Sequence, residues 1–120
     1  MYRTLPFFAL LACEPEIKIT TITDEGTVCL NDAGEIQVDF PGCLSSSCDT
    51  LTSATCTAEL IDGELVVHAE AVIESQGEEC TADCGFIQAT CEMPLIEDPE
   101  TVQFSYAGEL TPLDTECALF

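Results

Sequence analysis

The chain has 120 residues, enough for one domain, and it carries 23 Asp and Glu against two basic residues, for a net charge of −21. Such a surface repels phosphate backbones, whose recognition depends on Lys and Arg displacing counterions, so nucleic-acid binding is excluded. The charge reads as a solubility adaptation to a saline environment, with cation binding as the alternative reading, and either way salt should stabilise the fold.

Residues 1–12 hold one basic residue, Arg3, then the apolar run Leu5 to Ala12, and no acid. That order predicts a signal peptide, and eight apolar residues fall far short of the roughly 20 of a membrane-spanning helix. The run ends in Leu10-Leu11-Ala12-Cys13, which resembles the lipobox of bacterial lipoproteins. The resemblance implies cleavage before Cys13, a diacylglyceryl group on its sulfur, and residues 13–16 as a lipidated tether. Glu14 after the cysteine, rather than Asp, implies export to the outer membrane. The alternative is an ordinary cleaved signal peptide, or a buried first strand, with Cys13 in a disulfide. Nine cysteines is an odd number. Lipid on Cys13 would leave eight, an even set able to form four bridges.

From residue 17 to 120 the apolar residues follow period two, which predicts a single all-β, disulfide-stapled sandwich of six to seven short antiparallel strands. Ile17 to Ile22 reads as the first strand. Val28-Cys29-Leu30 leads into a turn at Asn31 to Gly34, and Glu35 to Phe40 follows with Ile36, Val38 and Phe40 inward, stopped by Pro41-Gly42. Leu44 to Ser53 carries no clean period and is compatible with a short helix. The strongest local pattern is a hairpin over Ala54 to Ile73 about Asp62-Gly63, a dipeptide suited to a type I′ turn. Ala54, Cys56, Ala58 and Leu60 share one face of its first arm. Leu65, Val67, Ala69, Ala71 and Ile73 share a face of the second, opposite Glu64, His68 and Glu70. Phe86 to Met93 and Val102 to Leu110 read as later strands, the latter with Val102, Phe104 and Tyr106 inward. Ser45 to Ser47, Glu74 to Glu79 and Met93 to Glu100 read as loops.

Cys29, Cys43, Cys48, Cys56, Cys80, Cys84, Cys91 and Cys117 form the expected framework. The 43/48 and 80/84 spacings would also suit a zinc site, but an exported chain meets oxidants and its cysteines pair. Cys56 and Cys91 share an inward face and suggest one bridge, and Cys117 should tie down the tail. No Cys-x-x-Cys redox motif is present.

The inventory for catalysis is thin. His68 is the only histidine and lacks a Gly-x-Ser-x-Gly companion, there is no Trp, and no Arg follows Cys13. The expectation is therefore a non-enzyme without a required cofactor. Calcium is the one ligand the loops suggest, through Asp24-Glu25-Gly26, Asn31-Asp32, Glu78-Glu79 with Asp83, and Glu97-Asp98 with Glu100, although none matches an EF-hand. Together these features are similar to small cysteine-rich envelope lipoproteins of Gram-negative bacteria. The implied role is a non-catalytic interaction or structural module, held to the membrane by lipid and meeting a protein or glycan partner. The alternative is a calcium-dependent adhesion or carbohydrate-binding module.

Overall fold

The computed structural model describes residues 16–117; the expected signal segment 1–12 and Cys13 lie outside the described residues. The described chain is all-β and builds two sheets from eight strands: β1 (Ile17–Thr23), β2 (Thr27–Leu30), β3 (Ile36–Asp39), β4 (Asp49–Ile61), β5 (Glu64–Gln76), β6 (Gln88–Cys91), β7 (Gln103–Tyr106) and β8 (Glu109–Pro112). A single 3-10 turn, Pro99–Thr101, interrupts the Met93 to Glu100 loop.

The β4–β5 hairpin organises the larger sheet. Asp62 and Gly63 both have positive φ, 50° and 79°, as a two-residue type I′ connection requires. Each arm runs to 13 residues, well beyond the span expected from alternation. Leu44 to Ser53 therefore contains no helix: a turn at 46–48 feeds directly into β4, and Thr52 is an extra residue bulged between Leu51 and Ser53. Glu74 to Gln76, expected in a loop, extend β5 because β1 pairs with them.

On its second edge β5 has two partners in succession. β1 pairs antiparallel from Thr23↔Glu70 to Ile17↔Gln76, and β7 pairs parallel from Glu64↔Gln103 to Val66↔Ser105. The chain leaves β5, passes through β6 in the other sheet, and returns in the same direction, so this one pair is parallel where an antiparallel arrangement was expected. Asp24 fills the gap between the two partners. Its N–H donates to Ala69 O at 2.8 Å, and its carboxylate accepts the Ala69 N–H at 2.8 Å. Val102 to Leu110 is not one strand: Ala107 and Gly108, with φ of 53° and 82°, form a second tight turn that separates β7 from β8.

The smaller sheet has the order β2-β3-β6. Asn31 Oδ1 accepts the N–H groups of Ala33 and Glu35, closing the expected turn between β2 and β3. Gly26 lets β2 start against β3, since a Cβ there would lie 1.9 Å from Asp39 O. The core is where the alternation placed it: Ile36, Val38, Leu65, Val67 and Phe104 are fully buried, with Ala69, Ala71, Ile73, Val102 and Tyr106 around them. At roughly 1.5–3 kcal/mol for each large apolar side chain, this layer supplies the main cohesive term. Among the described residues no polar or charged residue is buried.

Four disulfides staple the sheets: Cys29–Cys117, Cys43–Cys84, Cys48–Cys80 and Cys56–Cys91, with Cα–Cα distances of 4.9, 5.0, 5.5 and 4.9 Å. Cys56–Cys91 joins β4 of the larger sheet to β6 of the smaller one, tying the two sheets together. Cys29–Cys117 holds the tail beside β2, where Leu30 bridges Glu116.

Candidate functional site

The outward face of the larger, five-stranded sheet gathers side chains from β1, β4 and β5. Strand alternation fixes its membership: β5 contributes Glu64, Val66, His68, Glu70, Val72 and Glu74. To one side β4 places Thr50, Ser53, Thr55, Thr57, Glu59 and Ile61; to the other β1 places Ile17, Ile19, Thr21 and Thr23. Hydroxyls and methyls, with Glu59 as the one flanking carboxylate, thus border a central column that carries Glu64, Glu70 and Glu74. The face is solvent-exposed along most of its length.

His68 stands in that column, but its partner is not Glu64 or Glu70. Its Nδ1 lies 3.3 Å from Asp24 Oδ2, and the side chain is 66% exposed. With Thr23, Thr55, Thr57 and Glu70 it lines only a shallow depression. A site for general acid–base work needs a group that converges with others on a sheltered substrate, and this imidazole projects into water. The sequence pattern missed Asp24 because the contact joins residues 44 apart; the clue was Asp24-Glu25-Gly26, where the chain must turn with positive φ at Asp24 and Gly26.

Asp24 and Glu25 also set the surroundings of Tyr106. The phenol donates to Glu25 O at 2.7 Å. Burial, and then the nearby Asp24 and Glu25 charges, push its pKa up from 10.0 to about 12. This group is an inert brace at neutral pH.

The second polar concentration is a corner clamped by Cys43–Cys84 and Cys48–Cys80. Ser45 N–H donates to Asp49 Oδ2 at 2.7 Å, and Ser75 Oγ donates to Asp49 Oδ1 at 2.6 Å. Ser46 N–H reaches both Asp83 oxygens, Thr81 Oγ1 also donates to Asp83, and Thr81 N–H donates to Ser47 Oγ at 2.9 Å. These donors hold the Asp49 and Asp83 carboxyls below the usual carboxylate range, Asp49 chiefly through Ser75 and Asp83 chiefly through Thr81.

Of the acidic loops suggested for calcium, Asp24 and Asp83 are engaged with backbone N–H groups, as is the Asn31 amide oxygen. Among the described residues no three His, Cys, Asp or Glu side chains are grouped as metal ligands. A cleft of 540 Å³ lies between Leu30, Val102 and Leu113 with Glu100 and Asp114. No described helix is long and apolar enough to cross a membrane. No protein-family model, curated protein or solved structure matches this chain.

Proposed function

We propose that the chain is a non-catalytic lipoprotein of the cell envelope, sorted to the outer membrane, whose disulfide-stapled domain is an interaction module on a lipid tether. The observation that carries this reading is the cysteine pairing: all eight described cysteines are bonded to one another, leaving Cys13, the residue in the lipobox-like run, as the ninth. Four structural disulfides fit an oxidising compartment. A diacylglyceryl cysteine supplies two acyl chains, which is what stable anchoring takes at about 0.8 kcal/mol per buried methylene.

The exposed face of β4, β5 and β1 supports an interaction role over a catalytic one, because it offers hydroxyl, methyl and carboxylate groups in register and only a shallow depression at His68. A calcium-dependent adhesion role is less favoured, since Asp24, Asn31 and Asp83 already serve the fold.

The test is the intact mass of detergent-extracted protein, alkylated with and without prior reduction. A chain starting at Cys13 with added acyl mass, and eight thiols appearing only on reduction, is the expected result. A chain starting at Met1 with free thiols would overturn the reading.

A further inference from the structure

Proline shapes the chain where it leaves the smaller sheet. β6 ends at Cys91, the last residue paired with β3. Pro94 fixes its own φ at about −65° and pushes Met93 toward extended backbone. Glu92 to Ile96 accordingly run without a turn or bend, and the first bend comes at Glu97. Among the described residues no backbone hydrogen bond joins 92–97 to the rest of the protein.

The segment is nonetheless fastened at both ends. Cys91 is bonded to Cys56 in β4, Met93 and Ile96 pack against the core, and beyond them Thr101 N–H donates to Asp98 O. Between these anchors Leu95 is 97% exposed, whereas no other large apolar side chain among the described residues exceeds 63%. A lone surface leucine is ordinary. This one projects from an extended segment pinned to the core by Met93 before it and Ile96 after it, with the backbone donors and acceptors around it unpaired.

We propose that residues 92–98 are a substrate-like loop that inhibits a serine endoprotease with an apolar primary pocket, Leu95 filling that pocket. Proteases of this kind select a substrate by the side chain that precedes the scissile bond, and an extended segment with free backbone groups can add to the cleft as a strand. A loop already fixed in the bound shape loses less freedom on binding. The protease serine attacks the Leu95 carbonyl carbon, and its proton passes through the protease histidine to the Ile96 nitrogen as the Leu95–Ile96 bond breaks; water then frees the Leu95 carboxylate. The cut chain stays one molecule, because Cys29–Cys117 joins the part ending at Leu95 to the part beginning at Ile96. Ile96, packed on the core, keeps the new amine beside the acyl group, so re-formation of the peptide bond competes with hydrolysis. Glu92, Glu97, Asp98 and Glu100 around the loop oppose insertion of Leu95 into an anionic membrane and favour a protease with a basic rim. This gives the interaction module a partner class at a surface separate from the β4, β5 and β1 face, and it holds whether or not Cys13 carries lipid.

Chymotrypsin, whose primary pocket is a hydrophobic slot, is the probe, and trypsin, whose pocket carries an aspartate, is the control. The full chain with its four disulfides formed should inhibit chymotrypsin on a chromogenic peptide and leave trypsin untouched. Long incubation should nick only Leu95–Ile96, and intact and nicked chain should converge on one ratio from either side. Leu95→Lys changes a side chain that touches nothing in the fold, so it should weaken chymotrypsin inhibition at least about thirtyfold and create inhibition of trypsin. Leu110→Lys, an equal charge change on β8, should do neither. Complete hydrolysis at Leu95–Ile96 without inhibition would make the loop a cleavage site and overturn the proposal. So would oxidised protein that chymotrypsin neither cuts nor is slowed by, or a Leu95→Lys variant whose specificity does not move to trypsin. Intact mass of the same sample reads the anchor independently: an unacylated chain that inhibits equally keeps the loop and removes the tether.

Discussion

Removing the disulfides one pair at a time should rank them by the loop each closes when the other three are present. Cys43–Cys84 and Cys48–Cys80 nest, so with one intact the other closes a loop of only about nine residues, the short segments 43–48 and 80–84, worth about 2.5 kcal/mol on the chain-entropy relation. Cys56–Cys91 closes about nineteen residues through the same bridges and contributes about 3 kcal/mol. Cys29–Cys117 closes about 48 residues by way of Cys43–Cys84 and contributes about 4 kcal/mol. Burial reinforces the order, because Cys29 and Cys91 are buried whereas Cys43 and Cys84 are exposed. Double Cys→Ala variants, compared by urea unfolding without reductant, should lose stability in the order 29/117, then 56/91, then 43/84. A Cys43→Ala/Cys84→Ala variant less stable than Cys29→Ala/Cys117→Ala would refute the reasoning, and would mean that the corner of serines and aspartates contributes more than loop closure.

Four other outcomes follow from single features. Gly26→Ala, with its Cβ driven onto Asp39 O at a φ of +94°, should cost about 3 kcal/mol or more in the same unfolding assay. Ala107→Asn places a residue tolerant of the left-handed region in the β7–β8 turn and should raise stability by about 0.5–1 kcal/mol. Tyr106 is held neutral by the fold: its stabilising contribution is complete below the unfolded value of 10.0 and is lost as pH rises through the folded value of about 12, so phenolate absorbance should appear late and together with unfolding. Raising NaCl from low to high concentration should lift the thermal midpoint, on the order of 5 °C, by screening the −21 charge; no change would mean that the carboxylates are spaced too widely to interact.

The core was legible because burial acts residue by residue on a period of two. Ile36, Val38 and Phe40, the five alternating residues from Leu65 to Ile73, and Val102, Phe104 and Tyr106 all point inward as their spacing requires. Boundaries were less so. The ends of β4 and β5 are set by long-range partners, β1 for one and the disulfide corner for the other, and alternation alone is silent about both. The β7–β8 turn was missed because its first residue is Ala107, which supplies no turn chemistry of its own; Gly108 was the only local signal. Asp24 was seen as a loop carboxylate when its work is to stand in for a missing strand residue opposite Ala69.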